Sequence, residues 1–375
     1  MERVDLFMNK NIRLAVLGIK GIPAQYGGFE TCVDETGKRL VTYGVSVLVY
    51  CRRSVSSKLL DNYNGIKLKY VEGIKTKNLY TISTTFVSVI KELFSSNNII
   101  HLYTVGNAIF IPILKLFGKK CVISVDGLDW KRKKWGRFAS WYIKTSELLA
   151  VKSANSVISD SKVICKYYFE NYNREIDYVA FGSNIKQNII TGDFVKYNLE
   201  PQKYFLFVGL FRYEKKVDFL INAFNKAGTK DYKLALIGDE PMNPEIVKYL
   251  NSLKTEKIVF LGRKYDHEYD LISQNAYCYV TASVVEGTSP ALLAAMGFKT
   301  AVLVSDIPEN IETIGDSGFT FESNNESDLI NKIEYLINNN EIVTEYSIKA
   351  QERVKTKYSW DKVSSDLLNI YQNII

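Results

Sequence analysis

Several kinds of chemistry lack the residues they would need. Only two histidines occur in 375 residues, His101 and His267, far apart in the chain, and no set of His, Cys and carboxylate residues has metal-ligand spacing. His101 sits on an apolar run, where a buried, hydrogen-bonded ring is the commoner outcome than a catalyst. The five cysteines (Cys32, Cys51, Cys121, Cys165, Cys278) stand singly, which excludes a disulfide framework and zinc or redox pairs and fits a reducing cytoplasm. No Gly-x-Ser-x-Gly elbow is present, so hydrolysis by a serine triad is not expected. The first eleven residues carry Glu2, Arg3, Asp5 and Lys10, unlike the apolar centre of a secretory signal. The longest apolar stretch, Ile99 to Phe117, is interrupted by His101, Gly106, Asn107, Pro112 and Lys115, short of the roughly 20 apolar residues of a spanning helix. With only 7 prolines and 22 glycines, the chain is neither collagenous nor low in complexity.

What is present is an ordinary globular composition, 46% hydrophobic and 24% charged, at a length that suits two or three domains. The net charge of +7 is unevenly spread: residues 1–190 carry +13 and residues 191–375 carry −6. A basic half of this kind faces a polyanion, either nucleic acid or an anionic membrane surface. No RNA-type sheet motif accompanies the scattered aromatics, so nucleic acid is not expected.

Short β-branched runs recur with helical segments between them: Ile12–Leu17, Val45–Tyr50, Ile66–Val71, Ile99–Tyr103, Lys120–Val125, Ser156–Ser159 and Ile176–Ala180. This alternation predicts stacked βαβ units around a mainly parallel sheet. After a polar stretch at about 186–202 the rhythm restarts at Tyr204–Val208, Lys233–Ile237, Lys257–Leu261, Ala276–Val280 and Thr300–Val304, predicting a second doubly wound sheet. The division expected is a first domain over 1–190 and a second domain over 191–375. From Glu326 onward the chain is helix-forming, with Leu329, Ile333, Leu336 and Ile337 at helical spacing; these last helices are expected to close the fold, packing back on the first domain. Ligands of two facing open sheets bind at the carboxyl ends of the strands.

Four loops fall at such ends. The first, Gly18 to Glu30, places Gly27 and Gly28 just before a helix running to about Tyr43, where backbone amides can approach an anion such as a diphosphate. It is neither a Walker loop nor a full dinucleotide fingerprint. The second, Val125 to Trp135, packs Asp126, Asp129, Trp130, Lys131, Arg132 and Trp135 together with two further lysines; its cations can neutralise phosphate and its aromatics can stack on sugar or sit at a headgroup boundary. The third, Val208 to Lys216, carries Gly209, Arg212 and Lys215, cations suited to a diphosphate and to the charge that builds on a leaving group. The fourth, Ser283 to Pro290, holds Glu286, Gly287, Thr288 and Ser289. Ser289 is a good N-cap, Pro290 a good first helical residue, and Glu286 can accept hydrogen bonds from sugar hydroxyls.

Taken in this order, the motifs resemble family 4 of the retaining GT-B glycosyltransferases, in particular a bacterial branch with a rhamnosyltransferase-type N-terminal domain. The most specific are Gly21-Ile22-Pro23-Ala24-Gln25-Tyr26-Gly27-Gly28-Phe29-Glu30-Thr31 and Asp126-Gly127-Leu128-Asp129-Trp130-Lys131-Arg132; Glu147 to Lys152, Asp160-Ser161 and Gly238-Asp239-Glu240-Pro241 are less so. The resemblance spans nearly the whole chain. It implies a GT-B fold, two Rossmann-like domains facing across a cleft. It also implies a cytoplasmic enzyme, peripheral at the inner face of the cell membrane, that moves a sugar from a dTDP- or UDP-sugar donor, L-rhamnose among the candidates, to a saccharide or polyprenyl-diphosphate-linked acceptor in surface polysaccharide synthesis. No metal or other cofactor is expected.

The resemblance further implies a catalytic set of Glu286, Lys215, Arg212 and Asp126. Donor contacts would come from Gly27, Gly28, Gly209, Gly262, Arg263, Gly287, Thr288 and Ser289. The acceptor or membrane side would hold Tyr103, Asp129, Trp130, Lys131, Arg132 and Trp135. The chain departs from the family pattern at Leu210, where an arginine is usual, with Arg212 two residues later. It departs again at Ala294, where the second of two glutamates eight residues apart is usual, and around Tyr103 or Asp126, where a histidine is common. Two rival readings are a nucleotide-sugar epimerase of the same fold and a non-catalytic peripheral membrane protein.

Overall fold

A computed structural model describes residues 12–24, 27–54, 59–76, 79–125, 136–186, 190–240 and 243–375. The chain divides into two compact units, 1–181 with 360–375, and 182–359.

In the first unit the apolar runs form β1 (Arg13–Leu17), β2 (Ser46–Arg52), β3 (Asn62–Tyr63), β4 (Ile66–Val71), β5 (Ile99–Tyr103), β6 (Lys120–Val125), β7 (Ser156–Ser159) and β8 (Asp177–Tyr178). They make one sheet in the order β3-β4-β2-β1-β5-β6-β7-β8, parallel except for the short β3–β4 pair. The run expected over 176–180 shrinks to two paired residues, because β8 is an edge strand bonded on one side only, to β7. The helices are α1 (Gly28–Thr42), α2 (Tyr80–Leu93), α3 (Ile111–Leu116), α4 (Arg137–Ser153) and α5 (Lys162–Tyr172). Buried on both faces, the central strands read as continuous Val, Ile and Leu runs rather than as alternating ones.

The second unit repeats the plan with β9 (Tyr204–Val208), β10 (Lys233–Ile237), β11 (Ile258–Gly262), β12 (Cys278–Thr281), β13 (Ala301–Ser305) and β14 (Phe319–Phe321). All pairs are parallel, in the order β11-β10-β9-β12-β13-β14. Its helices are α6 (Val217–Lys226), α7 (Pro244–Ser252), α8 (Asp266–Gln274), α9 (Pro290–Gly297), α10 (Pro308–Ile314), α11 (Glu326–Asn338) and α12 (Asn340–Lys357). The core on one face of this sheet joins Phe205, Phe207, Phe224 and Leu236 to Leu329, Ile333 and Leu336 of α11.

The last helix, α13 (Trp360–Ile374), belongs to the first unit. It packs against α1 with Trp360, Val363, Leu367 and Tyr371 buried, and Arg39 of α1 meets Asp361 at 2.6 Å. The division between the units falls at Phe181/Gly182, nine residues before the 190/191 expected.

Candidate functional site

In the second unit the chain runs from β9 outward to β11, then returns to β12 on the other side of β9. Loops leaving β9 and β12 therefore diverge over the carboxyl edge, the place where open α/β sheets bind ligands. These are the loops that hold Lys215 and Glu286. Glu214 O accepts a hydrogen bond from Val284 N at 2.9 Å, tying the two loops together. Lys215 Nζ donates to Glu286 Oε1, and Ser283 Oγ donates to the same oxygen at 2.8 Å. With side chains 21% and 11% exposed, the pair is well shielded, and the carboxylate is held from two sides.

The loop with Glu286 is itself anchored. Ser283 Oγ lies 3.0 Å from Thr281 Oγ1, Ser305 Oγ donates to Ser283 O, and Asn310 Nδ2 donates to Ser305 O at 3.0 Å. Ser289 caps α9 as the sequence suggested, its side chain accepting from Leu292 N at 3.4 Å with Pro290 in the first turn. Thr288 and Ser289 are buried, and Gly287 is partly exposed at the helix mouth. Nearby, burial raises the Glu309 carboxyl above its ordinary value, and the charges of Glu286 and Glu312 push the same way.

Two more ion pairs follow along this edge. Arg212 Nε lies 3.1 Å from Glu240 Oε2, and Arg263 Nε 3.7 Å from Asp239 Oδ2. Arg212, predicted to serve a phosphate, is thus engaged by Glu240, a carboxylate 7% exposed. Gly209 and Gly238 end adjacent strands, and a Cβ on Gly238 would lie 1.9 Å from Gly209 O, so the two turns approach only because Gly238 has no side chain. Gly262 ends β11 beside them.

The first unit has its own switch point, between β1 and β5. Gly27 caps α1 at φ 123°, and Gly28 is the first helical residue. A Cβ on Gly27 would lie 1.9 Å from Glu30 Oε2, because Glu30 folds back to accept from Lys20 N at 2.9 Å, while Asp34 accepts from Ala24 N at 2.9 Å. Two amides of the loop are thereby satisfied by the helix's own acids, and a carboxylate already stands at the N-terminus where an anion was expected. Tyr103 is 3% exposed, stacked on His101 at 4.4 Å and edge-on to Phe29 at 4.9 Å. Phe29, Cys32, Tyr103, Ser124, Asp160 and Phe181 surround a small cavity of about 20 Å³. His101 is a buried, satisfied histidine, within 2.7 Å of Tyr371 Oη and 2.8 Å of Ser124 Oγ, and burial lowers its pKa to about 3.

Asp126, Asp129, Trp130, Lys131, Arg132 and Trp135 lie outside the described residues. Glu147 is a structural anchor, buried and accepting from Tyr172 at 2.8 Å and Tyr167 at 3.2 Å. The residues not singled out beforehand are Ser283, which steadies Glu286 from three positions upstream, and Glu30, a carboxylate in the first turn of α1. Their spacing to Glu286 and to the helix start was the available signal.

Among the described residues no cluster of His, Cys, Asp and Glu is arranged to hold a metal ion, and no helix is long and apolar enough to cross a membrane.

Comparisons with known proteins agree with this architecture. Residues 191–353 match the family Glycosyl transferases group 1, and residues 12–184 match a domain of unknown function, DUF1972. An uncharacterized glycosyltransferase of Methanocaldococcus jannaschii is 28% identical over 271 residues, covering 72% of this chain and 70% of the relative. Among solved structures, the sucrose-phosphate synthase from Thermosynechococcus elongatus superposes with a TM-score of 0.80 at 18% identity, covering 96% of this chain and 98% of that one. HepE of Anabaena, in complex with UDP and glucose, gives 0.78 at 14% identity, covering 96% and 100%. The two Rossmann-like units have the GT-B fold, and the sequence matches support a glycosyltransferase. The match to the group 1 family falls within the second unit.

Proposed function

We propose that the chain transfers a sugar from a nucleoside diphosphate donor to a saccharide acceptor carried on a polyprenyl diphosphate at an anionic membrane surface, with retention of anomeric configuration. The observation that carries this reading is the pairing of Lys215 with Glu286 across the switch point of the group 1 domain. The Lys215 ammonium is the cation for the diphosphate, and the capped N-terminus of α9, with the amides after Gly287, adds to the positive field there. Glu286, held by Ser283, accepts hydrogen bonds from the hydroxyls of the donor sugar. Arg212 and Arg263, each balanced by a neighbouring acid, extend the basic edge beside Gly209 and Gly262. The complex of HepE with UDP and glucose supports a uridine donor beside the dTDP-sugar alternative. L-rhamnose stands among the candidate sugars.

In the reaction the bond between the anomeric carbon and the phosphate oxygen breaks with its electron pair leaving on the diphosphate. The acceptor oxygen bonds to the same carbon on the face being vacated, and its proton passes to the departing phosphate. Charge grows on the diphosphate oxygens as the bond opens, so a fixed cation stabilises the transition state more than the ground state. Tyr103 and the segment from Asp129 to Trp135 are assigned to the acceptor side.

The test is incubation with UDP- and dTDP-sugars, with and without an oligosaccharide diphosphate-lipid. Nucleoside diphosphate is expected only when acceptor is added, and the product's anomeric proton should keep the donor's configuration by NMR. An epimerised nucleotide sugar formed without acceptor would overturn the transferase reading, and an inverted product would overturn retention.

A further inference from the structure

We infer that the outer face of α2, α3 and α4 docks the protein on an anionic lipid bilayer. These three helices connect β4 to β5, β5 to β6 and β6 to β7, steps in one direction across the sheet. Right-handed crossovers therefore place all three on the same side, and α3 packs against both α2 and α4. Their inward residues, among them Val89, Leu93, Leu114, Ile143 and Ala150, enter the core of the first unit. Their outward residues are unusual for a surface. Phe94, Leu116, Phe138 and Trp141 are 82%, 84%, 78% and 63% exposed, and Phe86 and Ile90 continue the stripe on α2. Rings meet across α2 and α3, Phe94 to Phe117 at 5.3 Å and Phe86 to the buried Phe110 at 6.0 Å, and on α4 Phe138 pairs with Trp141 at 5.8 Å, so the apolar groups are clustered rather than scattered singly. A patch of this kind marks an interaction site.

Charge selects the occupant. Five cations on the three helices are exposed: Lys91, Lys115, Arg137, Lys144 and Lys152. The only two acids on them are buried. Glu92 is fully buried and accepts from Tyr50 Oη at 2.8 Å and Asn97 Nδ2 at 2.8 Å. Glu147 is 2% exposed and taken up by Tyr167 and Tyr172. Exposed aromatics ringed by cations, with every acid of these helices withdrawn, suit the headgroup boundary of an anionic leaflet, where rings and aliphatic chains insert and each lysine is attracted to the surface. A second copy of this chain would bring the same five cations against each other, which a two-fold interface must pair with themselves. The inference deepens the acceptor part of the proposed function and is measured without donor or acceptor.

The full-length protein is sedimented with vesicles of phosphatidylglycerol and phosphatidylcholine, and with vesicles of phosphatidylcholine alone. Binding to the anionic vesicles, weakened by salt, is expected. The variant Lys91→Glu/Lys115→Glu/Lys144→Glu should lose at least about a hundredfold in partition, at about fivefold per cation removed. The variant Phe94→Ser/Leu116→Ser/Trp141→Ser, which alters only exposed groups, should also lose binding while its circular dichroism and its turnover with a water-soluble acceptor stay unchanged. Equal binding of wild type and both variants would overturn the inference, as would equal binding to neutral vesicles or none to either. A dimer in sedimentation equilibrium that the serine variant abolishes would assign the patch to a second copy instead. Wild-type protein that transfers sugar but binds no anionic vesicles refutes only the docking face; wild-type protein that binds the vesicles but transfers no sugar refutes only the reading of the site.

Discussion

His101 offers a quantitative test of how the first unit is held together. The ring is fully buried, bonded to Tyr371 of α13 on one side and to Ser124 of β6 on the other, and burial lowers its pKa from 6.5 to about 3. The folded state therefore binds no proton at His101 where the unfolded chain does. Stability contributed by this group is present above the unfolded pKa and is lost as pH falls from 6.5 toward 3, the window set by the two values. At pH 5 the unfolded histidine is almost fully charged and the folded one neutral, so the loss relative to pH 7.5 is about 2 kcal/mol. The variant His101→Gln can keep both hydrogen bonds but has no proton to take up. All four tryptophans, Trp130, Trp135, Trp141 and Trp360, belong to the first unit, so their fluorescence follows the denaturation of that unit alone. Urea titrations at pH 7.5 and 5 should show wild type losing about 2 kcal/mol more than His101→Gln. Equal losses in the two proteins would refute the claim that this ring is held neutral.

Two further outcomes follow from packing. Gly238→Ala should destabilise the second unit by about 3 kcal/mol and impair donor binding, because its Cβ would meet backbone at Gly209 O rather than a side chain able to move; an unchanged circular dichroism melting curve would contradict this. A maleimide at neutral pH should label the native protein at Cys165 alone, since Cys32, Cys51, Cys121 and Cys278 are buried and burial pushes the first three thiols up to about 12, 11 and 12. Mass spectrometry showing rapid native labelling at a second cysteine would refute it.

The sheets were legible because each strand is a short β-branched run and each helix an amphipathic one, a local signal. Tyr204–Val208 and Lys233–Ile237 match the strands residue for residue, and the Ser289-Pro290 start of α9 was readable from capping chemistry alone. The meeting of Lys215 with Glu286 was not readable in the same way. The two residues are 71 positions apart, and they meet because β12 returns to pair with β9, a matter of strand order that no local pattern encodes. The grip of Glu240 on Arg212 is likewise long-range. For α13 the return to the first domain was expected, but Trp360, Leu367 and Tyr371 advertise an apolar stripe without naming α1 as its partner. Glu30 shows the opposite failure, since a glycine pair before a helix reads as a place for an anion until the helix's own acid is found there.

The central claim is that Lys215 and Glu286 serve the donor's diphosphate and sugar, and the most direct test is acceptor-dependent turnover by Lys215→Met and Glu286→Gln. Removal of one preorganised charge partner of the transition state is expected to lower kcat by about a hundredfold to a thousandfold, with circular dichroism unchanged. Turnover by both variants within about threefold of wild type, a difference under about 1 kcal/mol, would contradict the account.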